Sequence, residues 1–324
     1  MNRLACLWLA LLLCLPAQAQ RNRLQLIRIS EDNDGLNTQG KISDREYTNG
    51  TKIDILYTKN TKPRLLSALL IPIAASANNM YSVGLTHLMY TPTNIKQKSV
   101  IRNDRPYTAV LYATHGLTSA DSVRKQRLIT ELGLGVLGRA ALGEELQIWV
   151  HRQLGFDEPQ GWRYQLPTDL LVNYLIQYEK QLFQPSAGLQ ALGMMSANVG
   201  TLSNNINAGL MVRAGLLGNY FTNFERPAGN RSPSYRKRQL YAFMRPTLRL
   251  LLDDSTLQGG FFTRSRAYYV LNNKLLNRSV AQLEVGAVLT RNRLGLSVSE
   301  KFISPTFKGV PSQEVGNITL FFGL

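Results

Sequence analysis

The sequence predicts an all-β fold: a transmembrane antiparallel β-barrel of about 12 strands, with a short helix at the site of function. Three observations predict it: an export leader, apolar residues that alternate with polar ones, and a mature chain without cysteine. The alternating segments are about ten residues long, the length a tilted strand needs to cross a bilayer. No later segment has the ~20 consecutive apolar residues of a transmembrane helix.

Residues 1–19 are predicted to be a secretory signal peptide. Arg3 supplies the positive charge, residues 4–15 are an apolar run, and residues 17–19 form a small-x-small cleavage site. We therefore expect export from the cytoplasm, with residues 20–324 as a single outer-membrane barrel.

Both cysteines, Cys6 and Cys14, lie in that leader. The mature chain therefore has no disulfides, which excludes a small disulfide-stapled secreted scaffold. A large hydrogen-bonded sheet is the alternative source of stability.

The chain is strongly basic. Its formal net charge is +16, and Arg3 is the only charged residue of the leader, so the mature value is 16 − 1 = +15. A basic exported protein favours the phosphates of lipopolysaccharide and other outer-membrane lipids as partners, and we expect no nucleic acid. Scattered Lys and Arg that only solvate loops remain an open alternative. We expect a monomer.

Alternation of period two recurs along the mature chain and predicts strands. In the segment 239–253, Leu240, Met244 and Leu248 share a face predicted to meet lipid, while Tyr241 and Arg249 point inward. Thirteen stretches alternate in this way: 23–31, 49–58, 66–74, 80–90, 106–116, 126–137, 166–180, 188–200, 207–218, 239–252, 259–270, 281–291 and 316–324. A barrel of this type has an even number of strands, so at least one stretch does not span. A soluble β-sandwich would alternate too, but would not need so many ten-residue strands.

One segment has helical spacing instead. In residues 141–154, apolar residues recur every three or four positions. Glu144, Gln147 and His151 form a polar stripe, and we expect Leu146, Trp149 and Val150 to anchor the other face. A lone helix among strands must lie inside the barrel, at its rim or across its mouth.

The usual catalytic motifs are missing: there is no nucleophile elbow, no H-E-x-x-H and no P-loop. His87 and His115 lie in strand-like stretches, so we interpret both as structural. His151 lies on the predicted helix and is the candidate functional histidine, since histidine is the side chain that titrates near neutral pH.

Two polar runs are further candidates. Residues 31–35 offer several oxygen atoms in a row and could hold calcium, or could simply form an acidic turn; they are not an EF-hand, because Lys41 stands where that loop needs its Glu. Residues 102–107 carry two Arg around Asn-Asp, and could grip a phosphate or form a salt-bridged strand entry.

Five motifs together carry a resemblance. They are Asn33-Asp34, Tyr47-Thr48-Asn49-Gly50, Asn103-Asp104-Arg105-Pro106-Tyr107, Ala141-Leu142-Gly143-Glu144 through Gln147 to His151, and Glu158-Pro159-Gln160-Gly161-Trp162. In order and spacing the chain resembles the lipid A 3′-O-deacylase family (LpxR). The motifs span residues 31–162, and the rest of the chain matches only in strand character.

The resemblance implies a twelve-stranded outer-membrane barrel that hydrolyses an acyl ester of lipid A, removing the 3′-acyloxyacyl group with Ca²⁺. It implies that His151 is the general base, that Asn33 and Asp34 line the site and its cation, and that Thr48 and Gln147 complete the catalytic set. Arg105 is expected near the lipid phosphate. At Glu145 the family pattern leads us to expect a small hydroxyl residue, so this chain departs from it there.

Two alternatives stay open at this point. An outer-membrane phospholipase would use the same acyl-ester chemistry on a glycerophospholipid. A passive porin or structural barrel would use the motif residues only to build the fold, although a pore has no need of a base on a helix.

Overall fold

The described residues of the computed structural model are 22–38, 45–59, 68–74, 76–221 and 238–324. They form a closed barrel of twelve antiparallel strands, in which sequence neighbours pair and the first strand also pairs with the last. The predicted fold class is confirmed. The predicted signal peptide lies outside the described residues and stays a prediction.

The bounds of the strands follow the predicted stretches closely. The strands are β1 (Asn22–Asn33), β2 (Glu46–Lys59), β3 (Asn78–Thr91), β4 (Thr108–Asp121), β5 (Gln126–Leu137), β6 (Asp169–Ser186), β7 (Leu189–Gly200), β8 (Ser203–Leu216), β9 (Arg238–Asp254), β10 (Ser279–Arg291), β11 (Leu294–Ile303) and β12 (Gln313–Gly323). Two α-helices are present among the described residues, α1 (Gly143–Leu154) and the single turn α2 (Ser255–Gln258), besides short 3₁₀ turns. None of these described helices is long and apolar enough to cross a membrane.

Two predicted strands are wrong and one strand was missed. The described part of the stretch 66–74 and the stretch 259–270 are not strands, while β11 was not predicted. The stretch 259–270 belongs to the β9–β10 connection, which folds over the barrel end and buries Leu257 and Leu271 there. In β11 the inward face carries Ser297, Ser299 and Lys301, which hides the apolar alternation of its outward face.

Residues 68–74 lie on the outside of the barrel wall. The Ile71 amide donates to Thr130 Oγ1 at 3.2 Å, and the Ile73 amide donates to Ser119 Oγ at 3.0 Å. Thr130 and Ser119 lie on the outer faces of β5 and β4 and are fully buried beneath this segment. The apolar run thus packs on the sheet without joining it, and strand hydroxyls satisfy its backbone donors in an apolar setting.

The predicted assignment of faces is confirmed by exposure. On β9 the outward side chains Leu240, Met244 and Leu248 are about half exposed, while Tyr241 and Phe243 are buried in the interior. Such exposed leucines suit contact with lipid rather than with water.

The last strand closes the barrel as predicted. β12 pairs with β1 from Leu26↔Gly323 to Asn33↔Gly316. This pairing removes both free edges, which a bilayer does not tolerate. The end at which β1 begins and β12 ends is called the terminus end, and the opposite end, which carries α1, is called the helix end.

The interior of the barrel is filled by side chains. An apolar cluster that includes Leu257 and Phe307 occupies the helix end, and one that includes Leu217 and Phe221 occupies the terminus end. Ion pairs such as Arg28–Asp54 at 2.7 Å cross between neighbouring strands. A filled interior of this kind does not favour the porin alternative.

A closed barrel should resist unfolding in dodecyl sulfate until it is heated, because no edge is available at which the sheet can unzip. We therefore expect the full chain to migrate faster on gels when unheated than when boiled. Gel electrophoresis of outer-membrane fractions checks this, and identical migration at both temperatures would contradict a closed barrel.

Candidate active site between the helix and the barrel wall

Helix α1 packs on the outer face of the barrel wall. The ring of His87 on β3 donates through Nε2 to the carbonyl of Ala141 at 2.9 Å, directly before the helix. Trp162 follows the helix and packs with Met89 on β3 and Ala109 on β4. The predicted helix is confirmed, and its place is outside the wall at the helix end.

Close approach to the wall requires a glycine at the first helical position. A Cβ at Gly143 would lie 2.5 Å from the Ala109 Cβ and 2.7 Å from Trp162 Cη2. Leu142, immediately before it, has the left-handed conformation with φ 62°. For a leucine that backbone conformation costs about 1 kcal/mol, which the packing of the helix must offset.

The helix turns its polar side to the protein. Gly143, Gln147 and His151 are its buried residues, whereas Trp149 is 57% and Leu154 60% exposed. The expectation that Trp149 anchors the helix is therefore wrong, although Leu146 does pack against the wall cluster. The physical reason is the surroundings: outside a membrane barrel the solvent is lipid, so the apolar side faces outward and the polar side faces the wall.

His151 is held in one tautomer. Its Nδ1 lies 2.5 Å from the carbonyl oxygen of Asp157, and a carbonyl only accepts, so Nδ1 carries the proton of the neutral ring. Nε2 then carries the lone pair that can accept a proton. Gly155, with φ +71°, turns the chain so that Asp157 comes back to the ring.

Gln147 is also oriented by its partners. Its Oε1 accepts from the Trp162 indole N–H at 2.7 Å, and both residues are buried. The amide group therefore presents Nε2 as a donor, and that atom is buried without a hydrogen-bond partner among the described residues. A buried donor of this kind points to a ligand or water between helix and wall.

Two exposed ion pairs hold the segment that orients His151. Lys96 Nζ lies 2.6 Å from Asp157, and Arg152 Nε lies 2.7 Å from Glu158. The Arg152 guanidinium lowers the pKa of the Glu158 carboxyl, so that pair persists into mild acid. At the start of the helix, burial raises the pKa of Glu144 and the neighbouring carboxylate adds to this.

Asn33, Asp34 and Thr48 lie at the same end of the barrel. Asn33 Oδ1 accepts from the Gly35 amide at 2.7 Å and caps a short 3₁₀ turn. Asp34 is 1% exposed, and its Oδ2 accepts from the Arg45 amide at 3.2 Å. Thr48 shares a 2.7 Å hydroxyl–hydroxyl bond with Thr91.

The strand register connects these residues to the helix. Asn33 pairs with Asn49, and Asn49 pairs with Met89, which packs against Trp162. One pair further along, Glu31, Thr51 and His87 are cross-strand neighbours. The row below the helix is therefore polar on a face that elsewhere meets lipid.

Glu31 is the centre of that polar row. Its Oε1 accepts from the side-chain amide of Asn49, and its Oε2 accepts from the Thr51 hydroxyl at 2.7 Å. Sequence reasoning missed Thr51 and His87 as part of this wall. The sequence does mark these two residues, because polar side chains at the outward positions of predicted membrane strands are exceptional.

The structure places Arg105 elsewhere. It is buried, its Nε donates to Glu46 Oε2 at 3.2 Å, and its guanidinium lies 4.5 Å over the Tyr90 ring. It also donates to Thr256 Oγ1 at 3.4 Å. These contacts favour the interpretation of residues 102–107 as a salt-bridged strand entry. A phosphate contact by Arg105 stays a prediction.

A closed barrel with a polar, helix-covered site on its lipid-facing wall defines a class: outer-membrane proteins whose site opens toward the bilayer. The family model described as outer membrane protein LpxR matches residues 6–324. The chain therefore belongs to the LpxR family and is a protein of the Gram-negative outer membrane.

One solved structure agrees on the fold. LpxR from Salmonella typhimurium superposes with a TM-score of 0.71 at 20% sequence identity, covering 92% of this chain and 100% of that one. The β domain of the Bordetella autotransporter BrkA matches with a TM-score of 0.42 at 8% identity, covering 93% and 99%. No curated protein matches the sequence.

The tight contact at Gly143 yields a test of the helix position. Gly143→Ala should push the helix away from Ala109 and disturb the packing of the Trp162 indole and its hydrogen bond to Gln147, with little effect on the barrel. In a Trp149→Phe background we expect the emission maximum of Trp162 to shift. Glu145→Ala, at an exposed position of the same helix, is the control; an unshifted Gly143→Ala spectrum would show that the helix does not pack as described.

Proposed function

We propose that the chain is a lipid A deacylase that hydrolyses an acyl ester, the 3′-acyloxyacyl group, at the outer leaflet. The observation that carries the proposal is the orientation of α1. This helix buries Gln147 and His151 against a polar wall, while its apolar side faces the bilayer. Membership of the LpxR family supports it. The basic mature chain suits a substrate that carries phosphates.

His151 acts as the general base. Water attacks the ester carbonyl, its proton passes to Nε2, and the imidazolium then protonates the departing alkoxide as the C–O bond breaks. The Asp157 carbonyl keeps the Nδ1 proton in place throughout. No serine nucleophile is needed, in agreement with the missing elbow motif.

Gln147 and the wall bind the substrate. The buried Gln147 Nε2 donates to an oxygen of the bound lipid, and Trp162 fixes that orientation. Thr48 and Asn33 line the wall side of the site. An amide donor held in advance costs no reorganisation when the substrate enters.

Calcium is part of the proposal. Asn33 and Asp34 offer the hard oxygen atoms that this cation prefers, and backbone carbonyls and water complete such sites. Among the described residues no group of three or more His, Cys, Asp or Glu side chains could hold a metal, so Asp34 would need ligands of other types beside it. When bound, calcium would supply positive charge for the developing oxyanion.

Removing the base should remove the activity. A general base contributes about 10²–10⁴-fold, so His151→Ala should abolish deacylation while the barrel stays heat-modifiable. His115→Ala is the matched control, because that ring stacks on Tyr81 and bonds to the Ser82 carbonyl, away from the helix.

Mass spectrometry of lipid A and phospholipids from cells with and without the protein is the measurement. Loss of acyl groups from lipid A supports the proposal, whereas loss only from phospholipids assigns the phospholipase alternative. A folded His151→Ala barrel that deacylates at the wild-type rate would contradict the role of His151.

The cation is tested by chelation. Excess chelator should abolish deacylation, and calcium should restore it better than magnesium, whose octahedral geometry is stricter. Asp34→Asn should raise the calcium concentration that is required. Asp32→Asn is the control, because Asp32 points into the barrel and binds Lys301 at 2.8 Å; full activity in excess chelator would exclude a calcium role.

A further inference from the structure

A second candidate site lies inside the barrel, away from the strands on which the helix packs. A cavity of about 380 Å³ occupies the interior between the middle and the terminus end. Side chains of β1, β2, β5 and β8–β12 line it, and residues of the segment that follows β8, Asn219 and Tyr220, contribute to it. No residue of the proposed active site faces this cavity.

The lining of the cavity is strongly cationic. Five basic side chains line it, Arg28, Lys52, Arg127, Arg213 and Arg245, against a single carboxylate, Glu284. Other carboxylates lie behind the bases in the wall: Asp54 pairs with Arg28 at 2.7 Å, Glu131 pairs with Lys52 at 3.3 Å, and Glu179 pairs with Arg127 at 2.6 Å. The carboxylates orient the bases, and the bases face the cavity.

Arg213 has no carboxylate partner among the described residues. It is 2% exposed, its Nε donates to Gln190 Oε1 at 2.6 Å and its Nη2 donates to the Gly218 carbonyl at 2.8 Å. Its guanidinium also stacks on the rings of Tyr220 and Tyr241. These hydrogen-bond and ring partners are all neutral, so none of them compensates the full charge of this guanidinium.

Arg245 is only loosely paired. Its Nη1 lies 3.6 Å from Glu284, beyond a good hydrogen bond, and its Nε is buried without a partner among the described residues. Arg127 and Arg213 both pack against the Tyr220 ring, at 4.4 and 4.8 Å, which brings the two cations together. Arg213 is the buried cation here without a carboxylate partner among the described residues, which is strongly unfavourable, so an anion is expected beside it.

We propose that this cavity binds a phosphoryl group. Guanidinium forks match the oxygen atoms of phosphate, and a tetrahedral group with up to two charges can engage several bases at once, which a carboxylate cannot do as fully. The volume also admits the remainder of a small phosphomonoester, and Tyr220 and Tyr241 offer flat surfaces to it. Both inorganic phosphate and the headgroup of a phosphomonoester lipid have this chemistry.

Thermal unfolding tests the proposal and separates the two sources. The full barrel in a neutral, phosphate-free detergent is titrated with inorganic phosphate in one arm and with short-chain phosphatidic acid in the other, at constant ionic strength. A ligand that binds only the folded barrel raises its unfolding temperature in a saturable way. A rise with inorganic phosphate assigns the free anion, and a rise only with phosphatidic acid assigns the lipid headgroup.

Arg213→Gln should weaken binding about 10- to 100-fold, the usual effect of losing a charged hydrogen bond. Arg249→Gln is the control, because Arg249 is an exposed residue of β9 that does not line the cavity. This variant should bind the ligand as the wild type does. If Arg213→Gln binds the ligand as tightly as the wild type does, the proposal is overturned, and the bound anion is an adventitious ion on the surface. If Arg213→Gln does not fold, calorimetry on the wild type decides: one ligand per barrel supports the proposal, and absence of saturable binding in both arms overturns it.

Discussion

The whole structure depends on one constraint: in a bilayer, every backbone N–H and C=O of a spanning segment needs a partner within the protein. Closure between β1 and β12 meets this constraint by removing the sheet edges. Once the sheet is closed, each side chain of a strand faces either lipid or the interior. The position of every other feature, from the helix to the interior ion pairs, follows from that division.

The proposed active site is an exception to the division. Glu31, Asn49 and Thr51 occupy outward positions, where an unpaired polar group in lipid would be costly. They bond to one another, and α1 covers the neighbouring wall around Met89 and Ala109. An ester that sits in the outer leaflet can reach such a site without leaving the membrane, which a soluble enzyme could not offer.

The barrel carries different chemistry on its outer and inner faces. Outside, the ring of His151 is held by a carbonyl and the amide of Gln147 by an indole, an arrangement that suits proton transfer. Inside, guanidinium groups are held by carboxylates and rings, an arrangement that suits an anion. Strand alternation produces both, because neighbouring residues such as Glu31 and Asp32 face opposite sides and bind different partners.

The sequence alone determined the strands that alternate cleanly, the face of each such strand that meets lipid, and the helix that carries Gln147 and His151. Alternation and helical spacing are local, so they can be read without the fold. Local patterns failed where contacts distant in sequence decide: residues 68–74 pack on strands rather than joining them, and β11 hides its apolar face behind serines.

Only the tertiary structure decided the direction in which α1 faces, the tautomer of His151 and the burial of Arg105. A helical pattern divides residues into two sides but does not say which side meets protein, since that depends on whether lipid or water lies outside. The His151 tautomer depends on where the Asp157 carbonyl returns, and the setting of Arg105 depends on Glu46, far away in the sequence. The three-dimensional fold sets these partners, and they in turn determine the chemistry of the site.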